Sequence, residues 1–228
     1  MGFRQILIFF LASVVVATGC TPGERQVEQA IQRELPRLVG PAASYHVDIQ
    51  GLQGARSAER VTATGRRVRP EGSPVLDHVA VELNGVTYDT ERGQLERVEN
   101  AEVIARVQAA DLAAFLEAQR TLRDVTVDLE PPARVRVRAR PEIPGLEIPP
   151  GVLIDAEGRL VGEGARVRYD IDRVHAAGAT LPGGVVVRLS NAINPVVDLS
   201  RIPVILRVVE LRVEGESMVI RATGRYPQ

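Results

Sequence analysis

Past the first twenty residues, apolar and polar positions alternate through most of the chain, the mark of half-buried strands. Val79, Val81 and Leu83 share one face. After Asn84-Gly85 the phase slips, and Val86 and Tyr88 carry the apolar side, which predicts a bulge at the glycine. Thr90 to Gly93 makes the next turn, and Ala101, Val103, Ala105 and Val107 alternate again. Val167, Tyr169 and Ile171 follow the same rhythm, as do Val185, Val187 and Leu189. Gly162-x-Gly164 leads into alternation rather than a helix, so it predicts a glycine turn and not a phosphate loop.

Two hairpins can be drawn with their register. Val125, Val127 and Leu129 face one way, and Asp124, Thr126, Asp128 and Glu130 face the other. A turn at Pro131-Pro132-Ala133 then sets Glu130 opposite Arg134, Asp128 opposite Arg136 and Asp124 opposite Arg140. Three of the four arginines in that row gain a carboxylate partner, so it reads as a solvated ion-pair face rather than a phosphate track. Near the end, Gly215-Glu216 fits a two-residue type II′ loop. It pairs Val213 with Met218, Leu211 with Ile220, Val209 with Ala222 and Glu210 with Arg221.

Two stretches break the alternation. From Glu24 to Val39, residues Val27, Ala30, Ile31, Leu35, Leu38 and Val39 fall at helical spacing. Pro36 should kink the last turn and Gly40-Pro41 should end it. Asp111 to Arg120, with Leu112, Phe115 and Leu116, predicts a short second helix. The fold class is therefore α+β: mostly antiparallel sheet with two helices, in one domain over residues 24–228. Pro141 to Pro150 is a long connection and the candidate hinge.

The start of the chain has a different pattern. Arg4 precedes an apolar run from Ile6 to Ala17 that is too short to span a bilayer. Ala17-Thr18-Gly19-Cys20 resembles a bacterial lipobox, although leucine is usual where Ala17 stands. The resemblance implies removal of residues 1–19, acylation of Cys20 (palmitate among the chains) and a short tether over residues 20–23. The alternative is an ordinary secretory signal with a chance cysteine. Buried acyl carbon contributes about 0.8 kcal/mol per CH2, so two or three chains would hold the protein on its membrane. The expected location is the non-cytoplasmic side of the cell envelope. If the organism has two membranes, Thr21, in place of the aspartate of inner-membrane retention, favours the outer one. Cys20 is the only cysteine, which excludes an intrachain disulfide.

Composition narrows the function classes. The 28 basic and 29 acidic residues nearly balance, which argues against nucleic acid as a partner. Three of the four phenylalanines leave with the signal, so the interior must be built from Val, Leu, Ile and Ala. Such a lining suits acyl chains and a plain aliphatic core equally. His46, His78 and His175 are isolated, and neighbours Asp77 and His78 point to opposite faces of a strand. No catalytic residue, metal site or cofactor is assigned, and the chain is not expected to be an enzyme.

One set of segments is distinctive. Leu181-Pro182-Gly183-Gly184, a strand from Val185 to Leu189, and Ile193-Asn194-Pro195-Val196-Val197-Asp198-Leu199-Ser200-Arg201-Ile202-Pro203 follow one another. Upstream lie Val79 to Asp89 and Ala101 to Leu116. Together they resemble the LmeA-like phospholipid-binding family, from about Val27 to Gly224. The resemblance implies an envelope protein that binds phospholipid without catalysis. It also implies a tubular lipid-binding fold, in which a curved antiparallel sheet wraps around helices. On that expectation, Leu112, Phe115 and Leu116 meet the concave side where acyl chains lie. Ile193, Val196 and Val197 guard a cavity mouth, dip into a membrane or finish the core. Asn194-Pro195 reads as a turn, with Asp198 and Ser200 capping or bonding local backbone, in preference to the alternative of direct lipid headgroup contact. Two functions follow: a lipoprotein that holds or shuttles phospholipid, or an adaptor lipoprotein that recruits another envelope protein.

Overall fold

The computed structural model describes residues 23–54, 56–89, 94–145, 148–149, 151–200, 202 and 204–226. Cys20, the apolar run before it and the expected turn at Thr90 to Gly93 lie outside these residues. The chain opens with helix α1 (Glu24–Leu38) and runs through strands β1 (Ser44–Gln50), β2 (Ser57–Val68), β3 (Leu76–Asp89) and β4 (Gln94–Gln108). Helix α2 (Ala109–Ala118) leads to β5 (Leu122–Glu130), β6 (Arg134–Pro141), β7 (Ile154–Glu163), β8 (Arg166–Ala176) and the short β9 (Ala179–Thr180). Helix α3 (Gly183–Ile193), β10 (Val197–Asp198), β11 (Ile205–Glu214) and β12 (Ser217–Tyr226) complete it.

The strands form two sheets, and every pairing is antiparallel. The first sheet has the order β1-β2-β3-β4-β12-β11; the second runs β10-β8-β7-β6-β5, with β9 beside β8. The C-terminal hairpin thus returns to pair with β4 after the second sheet is complete. The sheets meet where turns of the second reach β11: the Val208 N–H donates to the Gly164 carbonyl and the Val213 N–H to that of Pro132, each at 2.7 Å. Ser73, in the β2–β3 turn, closes the other side. Its hydroxyl donates to the Asp198 carbonyl at 3.3 Å and accepts the Asp198 N–H at 3.1 Å. Between the sheets lies one large aliphatic cluster that includes Leu76, Val103, Leu116, Leu122, Ile154, Tyr169 and Ile220.

The expected hairpin registers hold close to their turns and slip by one residue farther out. Glu130 pairs with Arg134 and Asp128 with Arg136, but a bulge between Arg123 and Thr126 puts Arg123, not Asp124, opposite Arg140. Asp124 takes a left-handed φ of 51° there and still ion-pairs with Arg140. Likewise Val213 pairs with Met218, Leu211 with Ile220 and Glu210 with Arg221, whereas Ala222 lies opposite Val208 and not Val209. Val209 is the bulged residue. The bulge expected at Gly85 does not form: the residue takes a φ of 60°, and pairing continues unbroken on both sides. The register break comes between Thr87 and Tyr88.

The expected strand from Val185 to Leu189 is instead the middle of α3, so the described residues hold three helices rather than two. A spacing of four fits both a strand face and a helix face, and Val185, Leu189 and Ile193 satisfy both. The valine run favours a strand by propensity, but burial of Leu189 and Ile193 against β8 decides the outcome. The helices also lie differently from the expected wrapping. α1 packs on β1, α2 beside β5 and α3 on β8.

Candidate functional site

Antiparallel register stacks apolar residues into rows across one face of the first sheet. One row is Ile49, Val61, Leu83 and Ala101; the next is Val47, Ala63, Val81, Val103 and Ala222. A third is Tyr45, Gly65, Val79, Ala105 and Ile220. The opposite face carries charge, including the pairs Arg60–Glu82, Arg106–Glu214 and Arg221–Glu102. The sheet is therefore amphipathic by construction, and within these three rows Tyr45 is the one aromatic side chain.

Its cover is uneven. On the β4 side the second sheet and α2 bury Ala101, Val103 and Ala105 completely. On the β1 side α1 buries Val27 with Val47, Ile49 and Ala58 in a separate small cluster. Between them, Val61 and Ala63 on β2 and Val81 and Leu83 on β3 are only half-buried. Val86, past the phase slip, and Ile31 and Leu35 on α1 are half-buried too. This half-buried aliphatic strip along β2 and β3, beside α1, is termed the trough.

One end of the trough is stopped. The Tyr45 ring lies against Gly65, where a Cβ would come within 2.8 Å of the ring. The Tyr45 hydroxyl donates to the Gly40 carbonyl at 2.7 Å, and burial pushes its pKa up to about 12. The other end lies at the β1–β2 turn, and α1 is pinned beside it. Glu24 accepts the Leu52 N–H at 3.2 Å, and Glu28 accepts the Ile49 N–H at 3.0 Å. Those bonds set α1 antiparallel to β1, with its N-terminus at the turn.

The residues singled out from the sequence lie elsewhere. Leu112, Leu116, Ile193, Val196 and Val197 are buried in the large cluster, and Phe115 packs against it half-buried. Asn194 is structural: its amide donates to the Tyr169 carbonyl at 3.0 Å and accepts the Tyr169 N–H at 2.7 Å. Asp198 accepts the Ser200 N–H at 2.8 Å, as the turn chemistry anticipated. In the arginine row, Arg138 pairs with Asp128 at 3.2 Å, while Arg136 reaches across to Glu157 on β7 at 2.7 Å. The trough itself was missed. Alternation marks an apolar face without saying what covers it.

A hollow of about 670 Å³ lies at the Pro141 connection, lined by Arg123, Asp124, Arg140 and Glu142 with Ile143, Pro144 and Ile148. Its charged side chains are already paired, Arg123 with Glu142 and Arg140 with Asp124. Partially charged walls suit an acyl chain less well than the trough does. Among the described residues, no group of three His, Cys, Asp or Glu side chains is placed to hold a metal ion.

A profile of the LmeA-like phospholipid-binding family matches residues 21–223. The chain belongs to this family. The match takes in both sheets and the trough, so it describes the whole fold rather than one patch. No curated protein and no solved structure matches the chain significantly. As a member of the LmeA-like family, the protein is placed with phospholipid binders.

Proposed function

We propose that this protein is a non-enzymatic envelope lipoprotein that binds phospholipid, holding or shuttling it with the acyl chains in the trough between α1 and the body. The half-covered block of Val61, Ala63, Val81 and Leu83 carries the reading. Fully closed, it would be ordinary core; fully open, it would be an aggregation hazard. Partial cover on a phospholipid-binding chain fits a surface that an acyl chain completes. Of the six residues expected from the sequence, Leu112, Leu116, Ile193, Val196 and Val197 pack the body, and Phe115 stays in the proposal as a lipid contact. Phe115 is the one with free surface to offer a lipid. The anchor is acylated Cys20, on the non-cytoplasmic side of the envelope, and the outer membrane where there are two.

Native mass spectrometry of the mature chain tests the binding. Co-purified or added phospholipid should appear as a discrete mass increment, and Ala63→Phe, which fills the floor, should reduce it while the protein stays folded. A clean apo mass that phospholipid never shifts would return the adaptor reading. The anchor is tested separately. Cys20→Ser should release the protein from membranes or leave it as unprocessed precursor; processing and membrane attachment like the wild type would remove acylation from the account.

A further inference from the structure

We infer that the tether presses the β1–β2 end of the trough against the membrane that anchors the protein, so that lipid enters from that same membrane. The inference rests on the proposed acylation and lipid binding, and adds an orientation to them. Only three residues separate Cys20 from Glu24, the first residue of α1. A fully extended chain spans at most about 3.6 Å per residue, so Glu24 lies within about 14 Å of the acylated cysteine. Glu24 is itself fixed to the mouth of the trough through the Leu52 N–H. The β1–β2 turn, the start of β2 and the end of β3 share this end, since Ser57 pairs with Thr87.

The opposite end is unsuited to the role. There Tyr45 closes the trough, and Arg67 grips both carboxylate oxygens of Asp111, tying β2 to the first turn of α2. The β11–β12 turn lies at that far end, because Ser217 pairs with Gln108 at the end of β4. Orientation does not come from a sticky surface at the mouth. Glu24, Arg25, Gln53 and Arg56 there are exposed and mixed in charge, so the short covalent tether supplies it.

The chain has no tryptophan, so a single introduced one reports its own position. Full-length lipidated protein carrying Gln53→Trp, or Arg56→Trp as a second reporter in the same turn, is reconstituted into phosphatidylcholine vesicles containing brominated lipid. Each should lose much of its fluorescence, whereas Glu216→Trp at the far turn should lose none. A long Gly-Ser insertion between Cys20 and Glu24 should abolish the loss at residue 53 and slow uptake of labelled phospholipid from the host vesicle. Equal quenching at both ends, or quenching at 53 that survives the insertion, overturns the inference. Native mass spectrometry of the same variants keeps the two readings apart: bound phospholipid without end-selective quenching sinks the orientation alone, and absent phospholipid sinks the binding.

Discussion

Asn194 does with one side chain what a strand residue does with its backbone. β10 pairs with β8 only at Val167 and Arg166, so the ladder would stop short of Tyr169. The Asn194 amide supplies the missing donor and acceptor to Tyr169, and also bonds the Ser190 carbonyl at the end of α3 at 3.0 Å. Asn194→Ala should therefore cost about 1–3 kcal/mol in urea denaturation, because it strands backbone groups in a partly buried site. A change of only a few tenths would mean that water replaces the amide. Asp198 gives a pH signature. Burial alone would raise its pKa, but the Ser200 hydroxyl and N–H together with Arg166 outweigh it and hold the carboxyl below its ordinary 3.8. A depressed folded pKa contributes stability above the unfolded value, and that contribution is lost as pH falls through the folded one. Asp198→Asn should flatten the acid limb of the stability curve below about pH 4. An unchanged limb would locate the acid sensitivity in other carboxylates.

At the scale of elements, legibility depended on distance from a turn. Register was readable where a two- or three-residue turn pinned it, and wrong by one beyond each bulge, because a bulge leaves no mark in the alternation. The third helix was unreadable for a related reason. Residues four apart share a face in both periods, and three consecutive valines tilt the choice toward a strand. The structure turns this ambiguity into a measurement at Val187, which is 59% exposed on α3. In a helix, Val187→Ala should raise stability by a few tenths of a kcal/mol, since alanine loses no rotamer freedom there. In a strand the same change should lower it. A loss of stability in thermal unfolding would reopen the strand assignment.

For the whole molecule, the decisive fact is that the buried apolar residues among those described form two clusters and not one. Alternation marks the strands of both clusters alike, so the division was invisible in the sequence; it arises from where α1, α2 and the second sheet come to rest. The small cluster under α1 has four fully buried side chains, Val27, Val47, Ile49 and Ala58. Burial of a valine or isoleucine contributes about 1.5–3 kcal/mol, which ordering α1 and β1 largely offsets. The α1–β1 lobe should therefore open at lower free energy than the body, as a cooperative unit. In native-state hydrogen exchange, amides of β1 should exchange well before those of β8 and β12. On the proposed binding mode, phospholipid against the floor between the clusters needs α1 in place, so it should slow β1 exchange by the factor its occupancy dictates. β8 should be affected only through global unfolding. If β1 and β8 exchange together, the clusters are one cooperative core. If β1 opens early but saturating phospholipid leaves it unchanged, the ligand does not lie against α1, and the trough loses its role.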